Sequence, residues 1–303
     1  MGDVIHNLPV VADICRHRPG AQIDWVVEES FADVPTLHPG VREVIAVANR
    51  RWRKAWFRSQ TAREFRSFKA QLQSERYDCI LDTQGLMKSA LIARMAHGKR
   101  CGYSALSARE PMSARFYDAR FDVPKNLHAV ERNRTLASLA LGYALSNDTD
   151  YGLRAQPLVE GRRYAVLLHA TSRLDKEWDA SSWAALGQFL NAREIEVLLP
   201  WGSEAELAQS ERLKAMLIQA FVPERMPLTK LAGLLAGAEI VVGADTGLTH
   251  LAAALGRPTI GIYRGSDPRL TGLYGAEKAV NLGNVGRAPN AQEVIAAAER
   301  LLV

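Results

Sequence analysis

The sequence lacks the marks of several large protein classes. Its three cysteines, Cys15, Cys79 and Cys101, are scattered without pair spacing, which argues against a Cys-based metal site and fits a reducing compartment. No run reaches about 18 consecutive apolar residues, so no stretch reads as a membrane span. The amino end has no basic segment followed by an apolar core, the pattern of a signal peptide. There is no Gly-x-Gly-x-x-Gly and no P-loop, which counts against a dinucleotide oxidoreductase and a P-loop ATPase. No His, Asp and Glu cluster has metal-ligand spacing, so neither a metal nor a cofactor is expected. Short-period repeats and low-complexity tracts are absent as well.

What is present is a repeated alternation of strands and helices. The 303 residues, 48% of them hydrophobic, suffice for two cores, and the length suggests two domains. A polar, Pro-containing stretch at 145–160 marks the boundary, dividing the chain into 1–150 and 151–303. Strands are expected at 23–28, 44–47, 77–82 and 99–103 in the first half, with a helix over 4–16 and another from about 128 to 141. In the second half strands are expected at 164–169, 195–200, 238–242 and 259–262, with helices at 181–191, 203–215, 228–236, 248–255 and 291–302. Such βα repeats imply an α/β fold, a doubly wound parallel sheet in each half.

The chain centres on Gly243-Ala244-Asp245-Thr246-Gly247-Leu248-Thr249-His250. It follows a β-branched strand and opens a helix, so a carboxylate, a hydroxyl and a glycine sit at a strand's carboxyl end, where α/β folds place ligands. Asp245 is positioned to cap that helix, and the amides of Thr246 and Gly247 to meet an anion. His250 reaches the same crevice from the first helical turns. A plain N-cap with a helical histidine is the other reading of this stretch.

The charge is uneven. The net charge is +5, and residues 50–69 hold eight basic side chains and one acid, Glu64, interleaved with aromatics. A solvated helix face is one reading. A loop presenting Arg50, Arg51 and Arg53 to an anionic partner is the other, since arginine offers a planar fork to carboxylate and phosphate. No nucleic-acid-binding motif accompanies the patch, so nucleic acid is not the expected partner.

Further loops in the second half carry polar residues after strands. His169-Ala170-Thr171-Ser172, with Lys176 beyond it, offers hydroxyls and an ammonium to a pyrophosphate. Pro200-Trp201-Gly202-Ser203-Glu204-Ala205-Glu206 offers carboxylates to a ribose diol, or to the helix dipole. Tyr263-Arg264-Gly265-Ser266-Asp267-Pro268 follows the last of these strands. Together they describe a nucleotide-diphosphate site without a glycine-rich fingerprint.

Over almost its whole length the chain resembles the ADP-heptose transferase family of GT-B glycosyltransferases, the heptosyltransferases of the lipopolysaccharide inner core. The resemblance rests on Met1-Gly2-Asp3-Val4-Ile5-His6, Asp82-Thr83-Gln84-Gly85-Leu86-Met87-Lys88-Ser89, His169-Ala170-Thr171-Ser172, Leu199-Pro200-Trp201-Gly202, Asp245-Thr246-Gly247-Leu248-Thr249-His250 and Gly265-Ser266-Asp267-Pro268. Four further stretches, at 25–29, 50–56, 108–111 and 128–132, resemble heptosyltransferase I, the branch that adds the first heptose to Kdo2-lipid A. Heptosyltransferase II and a non-catalytic nucleotide-sugar or lipopolysaccharide binder are the alternatives.

The resemblance implies two Rossmann-like domains facing a cleft, acceptor on the first and ADP-L-glycero-D-manno-heptose on the second. It implies an inverting, metal-independent transfer with Asp3 as general base. On the donor side it implies Thr171, Ser172 and Lys176 at the diphosphate, Glu206 at the ribose, Met226 beside the adenine, Asp245 on the heptose hydroxyls, and Thr246, Gly247 and His250 around the phosphates. Arg50, Arg51, Arg53, Arg109 and Arg132 match positions that meet the acidic acceptor. A cytoplasmic protein held peripherally on the anionic inner membrane is the expected setting. Relatives carry a first strand before Met-Gly-Asp, so the first strand of the amino-terminal sheet is expected to be missing.

Overall fold

A computed structural model describes residues 1–159, 161–171 and 177–303. Contacts divide them into two compact units, His6–Gly152 and a second made of Met1–Ile5 together with Leu153–Val303. The sequence division puts residues 1–150 together, whereas Met1–Ile5 packs with the carboxyl-terminal unit.

The chain begins with α1 (Gly2–Ile5) and α2 (Leu8–His17). The single helix expected over 4–16 is thus two. Pro9 lies in the first turn of α2 and has no N–H to extend a ladder from α1. There follow β1 (Ile23–Glu28), α3 (Asp33–Thr36), β2 (Val41–Val47), α4 (Asn49–Trp52), α5 (Ser59–Leu72), β3 (Arg76–Asp82), α6 (Met87–Met95), β4 (His97–Tyr103), β5 (Ala119–Phe121) and α7 (Ala129–Leu141).

The strands of this unit make two parallel sheets among the described residues, β1-β2 and β3-β4-β5. β1 and β3 are therefore edges, and most of their side chains are only half buried. Asp24 on β1 links the two sheets: Arg42 on β2 donates to it through Nε at 2.8 Å, and the Tyr77 hydroxyl on β3 at 2.9 Å. Behind the β1-β2 sheet, Ile45, Val47, Trp52, Phe68 and Leu72 form a small core with α5. A buried Arg134–Asp13 pair at 2.7 Å ties α7 to α2. Arg134 also donates to the carbonyls of Ser146 and Asp148, fastening the boundary segment.

The second unit continues with β6 (Tyr164–Leu168), α8 (Ala180–Asn191), β7 (Glu196–Leu198), α9 (Glu204–Lys214), β8 (Ala220–Phe221), α10 (Leu228–Ala236), β9 (Ile240–Ala244), α11 (Gly247–Ala254), β10 (Thr259–Tyr263), α12 (Pro268–Thr271), β11 (Ala279–Gly283) and α13 (Ala291–Leu301). Its six strands form one parallel sheet in the order β11-β10-β9-β6-β7-β8. β6, β9 and β10 are buried throughout, which is why they read as continuous apolar runs. Ile240, Val241 and Val242 are wholly buried, and burial of each side chain contributes about 1.5–3 kcal/mol.

The strand order fixes the place for a ligand. The chain moves outward from β6 through β7 to β8, then returns to β9 on the other side of β6. The crevice at the carboxyl ends of β6 and β9 is the switch point where open α/β sheets bind ligands. Leu168 pairs with Gly243 there, so the Thr171 loop and the Asp245 loop leave neighbouring strands side by side.

Candidate functional site

Asp245 follows β9 directly, and its own amide donates to the Ile262 carbonyl of β10 at 3.1 Å. Its carboxylate is bracketed by two partners. The Ser266 hydroxyl donates to Oδ2 at 2.5 Å, and His250 Nε2 lies 3.4 Å from Oδ1. Both side chains of the Asp245–His250 pair are nearly buried, 10% and 5% exposed. The expectation that Asp245 caps the following helix is corrected. Thr246 is the N-cap of α11 and its own side chain makes no capping bond, while the Asp245 carboxylate engages Ser266 and His250. The Thr249 hydroxyl likewise turns back to the Ala244 carbonyl, at 2.7 Å. This first turn, with its amides and positive dipole end, suits an anion.

α1 packs against α11, which brings Asp3 into the same unit as Asp245. The approach is close enough that Gly247 has no room for a side chain. A Cβ there would lie 2.4 Å from the Met1 Cβ. A Cβ on Gly2 would be 3.9 Å from the His250 ring. Gly247 is therefore a packing residue as well as the first residue of α11.

Of the remaining residues expected on the nucleotide side, the described ones follow strands of the same six-stranded sheet. Thr171 lies three residues past β6, beside His169, which is buried and paired with the Ser210 hydroxyl at 3.3 Å. Burial holds the His169 imidazole below its ordinary pKa. Ser172 and Lys176 lie outside the described residues. Glu206 is in the first turn of α9 and accepts the Gly202 amide at 2.7 Å, so it closes the loop after β7. Met226 is half-buried in the segment between β8 and α10, near the turn that Trp201 fastens by donating to the Pro223 carbonyl at 2.8 Å.

The five arginines lie in the first unit and fall into two groups. Arg50, Arg51 and Arg53 follow β2. The Arg50 guanidinium lies over the Phe31 ring, 5.4 Å from its centroid. Arg51 is held by Glu29 at 2.9 Å and Glu64 at 2.7 Å, which raise its pKa and compensate its charge. Glu28, Glu29, Ser30, Arg50, Arg51 and Lys54 line an open pocket of about 300 Å³. Arg109 and Arg132 flank Tyr103 at the carboxyl end of β4. Arg132 stacks on that ring at 4.9 Å and donates to the Ser107 carbonyl at 2.6 Å. Burial pushes the Tyr103 hydroxyl up to about 12, against the pull of Arg132 and Arg109.

The loop after β3 is tied to the segment that carries Arg109. Asp82 accepts the Gln84 amide at 2.9 Å and the Tyr117 hydroxyl at 2.7 Å. Glu110 accepts the Met87 amide at 2.5 Å, and its own amide donates to the Gly85 carbonyl at 2.9 Å. The segment 82–89 and the segment 108–111, distant in sequence, are thus one surface. Ser266, on the Asp245 carboxylate, and Tyr103, under the Arg132 guanidinium, are two neighbours that the sequence reading does not assign. Only the Gly-Ser-Asp-Pro turn after the strand at 259–262 signals Ser266, and nothing local signals Tyr103.

A family model described as glycosyltransferase family 9 (heptosyltransferase) matches residues 65–298. The chain belongs to glycosyltransferase family 9. Lipopolysaccharide heptosyltransferase 1 of Escherichia coli K12 is 44% identical over 286 residues, 92% of this chain and 90% of that protein. The Pseudomonas aeruginosa PAO1 protein of the same name is 44% identical over 290 residues, covering 94% and 81%. A solved structure of the E. coli heptosyltransferase WaaC with ADP superposes with a TM-score of 0.94 at 40% identity, over 99% of this chain and 97% of that one. E. coli ADP-heptose lps heptosyltransferase II, at 22% identity and a TM-score of 0.77 over 99% and 95%, shares the fold. This family 9 member has the α/β, GT-B type fold with parallel sheets that its motifs imply. In it the Asp-Thr-Gly-x-x-His element stands at the switch point of the six-stranded sheet.

Proposed function

We propose that this family 9 glycosyltransferase moves L-glycero-D-manno-heptose from ADP-heptose to Kdo2-lipid A, the first heptose addition of the lipopolysaccharide inner core. The observation that carries the reading is the 44% identity to a lipopolysaccharide heptosyltransferase 1 over 92% of the chain. The heptosyltransferase II structure is 22% identical.

In this reading the acceptor hydroxyl attacks the anomeric carbon of the donor. The bond to the diphosphate breaks with inversion, ADP leaves, and Asp3 takes the hydroxyl proton as it becomes acidic in the transition state. The packing of α1 on α11 supports a place for Asp3 beside the donor crevice. Asp245, oriented by Ser266 and His250, holds heptose hydroxyls. The first turn of α11 and the Thr171 hydroxyl meet the diphosphate, with Ser172 and Lys176. Preorganised dipoles of this kind stabilise a leaving anion without reorganising. Glu206 contacts the ribose and Met226 the adenine. Arg50, Arg51, Arg53, Arg109 and Arg132 meet the acidic sugars and phosphates of the acceptor.

None of the described helices is long and apolar enough to cross a membrane. From the lipid acceptor and the basic first unit we infer work at the anionic cytoplasmic face of the inner membrane. The test is incubation of the purified chain with ADP-heptose and Kdo2-lipid A. Gain of one heptosyl unit by the acceptor supports the reading, and donor binding without turnover rejects it.

A further inference from the structure

We propose that Trp56 and Phe57 form a wedge that enters the interface of an anionic lipid bilayer. The proposal deepens the function above by naming the surface that meets the membrane, and it rests on that reading.

The wedge stands on a pinned base. α4 and α5 are joined by the short turn 53–58. Trp52, at the end of α4, is buried edge-on against Phe65 and Phe68 of α5. Its indole N–H donates to Glu64 at 2.8 Å, and the Thr61 hydroxyl donates back to the Ala55 carbonyl at 2.8 Å. The turn is thus fastened at both sides while its tip points the other way. Trp56 is 67% exposed and Phe57 83%, and their rings rest on each other with centroids 3.8 Å apart. Scattered apolar side chains on a surface need no explanation. Two adjacent aromatics, in tilted ring contact with each other and exposed only four residues from the buried Trp52, do.

The surrounding charge selects the occupant. Glu64, the one acid of residues 50–69, is consumed by Trp52, Arg51 and Gln60. Arg53, Lys54, Arg58, Arg63 and Arg66 have no carboxylate within ion-pair distance among the described residues. An aromatic tip inside a collar of uncompensated cations matches the headgroup region of an anionic bilayer. There Trp settles at the polar–apolar boundary, while Lys and Arg meet lipid phosphates. Neither a second copy of this equally basic face nor an acidic protein has that pairing of apolar depth with anionic rim.

Flotation with vesicles of phosphatidylcholine and phosphatidylglycerol, free of acceptor lipid, tests the wedge. The wild-type chain should bind them, with a part of the binding that survives high salt. Trp56→Ala/Phe57→Ala should remove the salt-resistant part and weaken binding on the order of tenfold or more. Arg58→Gln/Arg66→Gln should cost about fivefold per charge at low salt and spare the salt-resistant part. Brominated lipid should quench a component of the fluorescence that Trp56→Phe lacks. Melting temperature and ADP affinity, unchanged in the aromatic variant, exclude misfolding as the cause. Equal vesicle binding by wild type and the aromatic variant overturns the proposal. So does a concentration-dependent dimer that needs Trp56 and Phe57 while no vesicle is bound. Transfer to Kdo2-lipid A is measured separately, so its failure with intact vesicle binding rejects the function and leaves the wedge standing.

Discussion

The Ser266 hydroxyl donates to Asp245 Oδ2 at 2.5 Å, from a loop 21 residues further along the chain. With His250 near the other oxygen, the carboxylate is held from both sides before any sugar arrives. In the proposed function Asp245 holds the heptose and its neighbours hold the diphosphate. Asp245→Ala should therefore weaken ADP-heptose far more than ADP. Ser266→Ala should weaken ADP-heptose by about tenfold, the lower range for losing a hydrogen bond to a charged group, and leave ADP within about twofold. Isothermal titration with the two ligands decides it, and equal losses for both ligands would refute the division of roles.

Gly247 controls the position of α1. A methyl group there would press on Met1, so Gly247→Ala should move Asp3 without touching its chemistry. We expect lower kcat with ADP affinity nearly kept. Asp3→Asn should cut kcat by about 10²–10⁴-fold, the span of a general base, and leave donor affinity unchanged. An Asn variant with near-wild-type kcat removes Asp3 from the mechanism.

The acceptor arginines should separate from the donor site in kinetics. Arg53→Ala and Arg132→Ala should raise the acceptor KM and leave ADP-heptose affinity alone. Arg132→Lys should rescue only partly, because an ammonium neither stacks flat on Tyr103 nor forms a fork. Initial rates at varied acceptor concentration measure this. A matching loss of ADP-heptose binding would show that the patch faces the wrong ligand.

Asp24 joins β1 to β2 and β3, so its charge should set part of the acid stability of the first unit. The bond from Arg42, helped by the one from Tyr77, holds its carboxyl below the ordinary value. A depressed carboxyl contributes stability that is complete above its unfolded pKa of about 3.9 and is lost as pH falls through the folded value. Asp24→Asn should thus be destabilising near neutrality, with the gap from wild type closing below about pH 4. Urea titrations across that range test it; a gap that widens in acid contradicts the assignment.

Much of this was legible from residue order. β6, β9 and β10 announced themselves because strands covered on both faces are continuous apolar runs. The Asp245 loop was legible because its strand and helix flank it in sequence. β5, β8 and β11 were not, being short or only half buried, with no alternation to detect. The break between α1 and α2 was written in Pro9 and outweighed by the apolar periodicity around it. The partnership of Ser266 with Asp245 needs β10 to lie beside β9, and strand order is set by packing that no local pattern encodes. The Arg134–Asp13 pair, 121 residues apart, is of the same kind.

The central claim is heptose transfer to an acceptor that carries none. Mass spectrometry of Kdo2-lipid A after incubation with the purified chain and ADP-heptose reads it directly, alongside a parallel reaction on an acceptor already bearing one heptose. The account predicts that the first acceptor gains a single heptosyl unit and the second gains none. Gain by the second alone, or by neither while ADP-heptose binds, would contradict it.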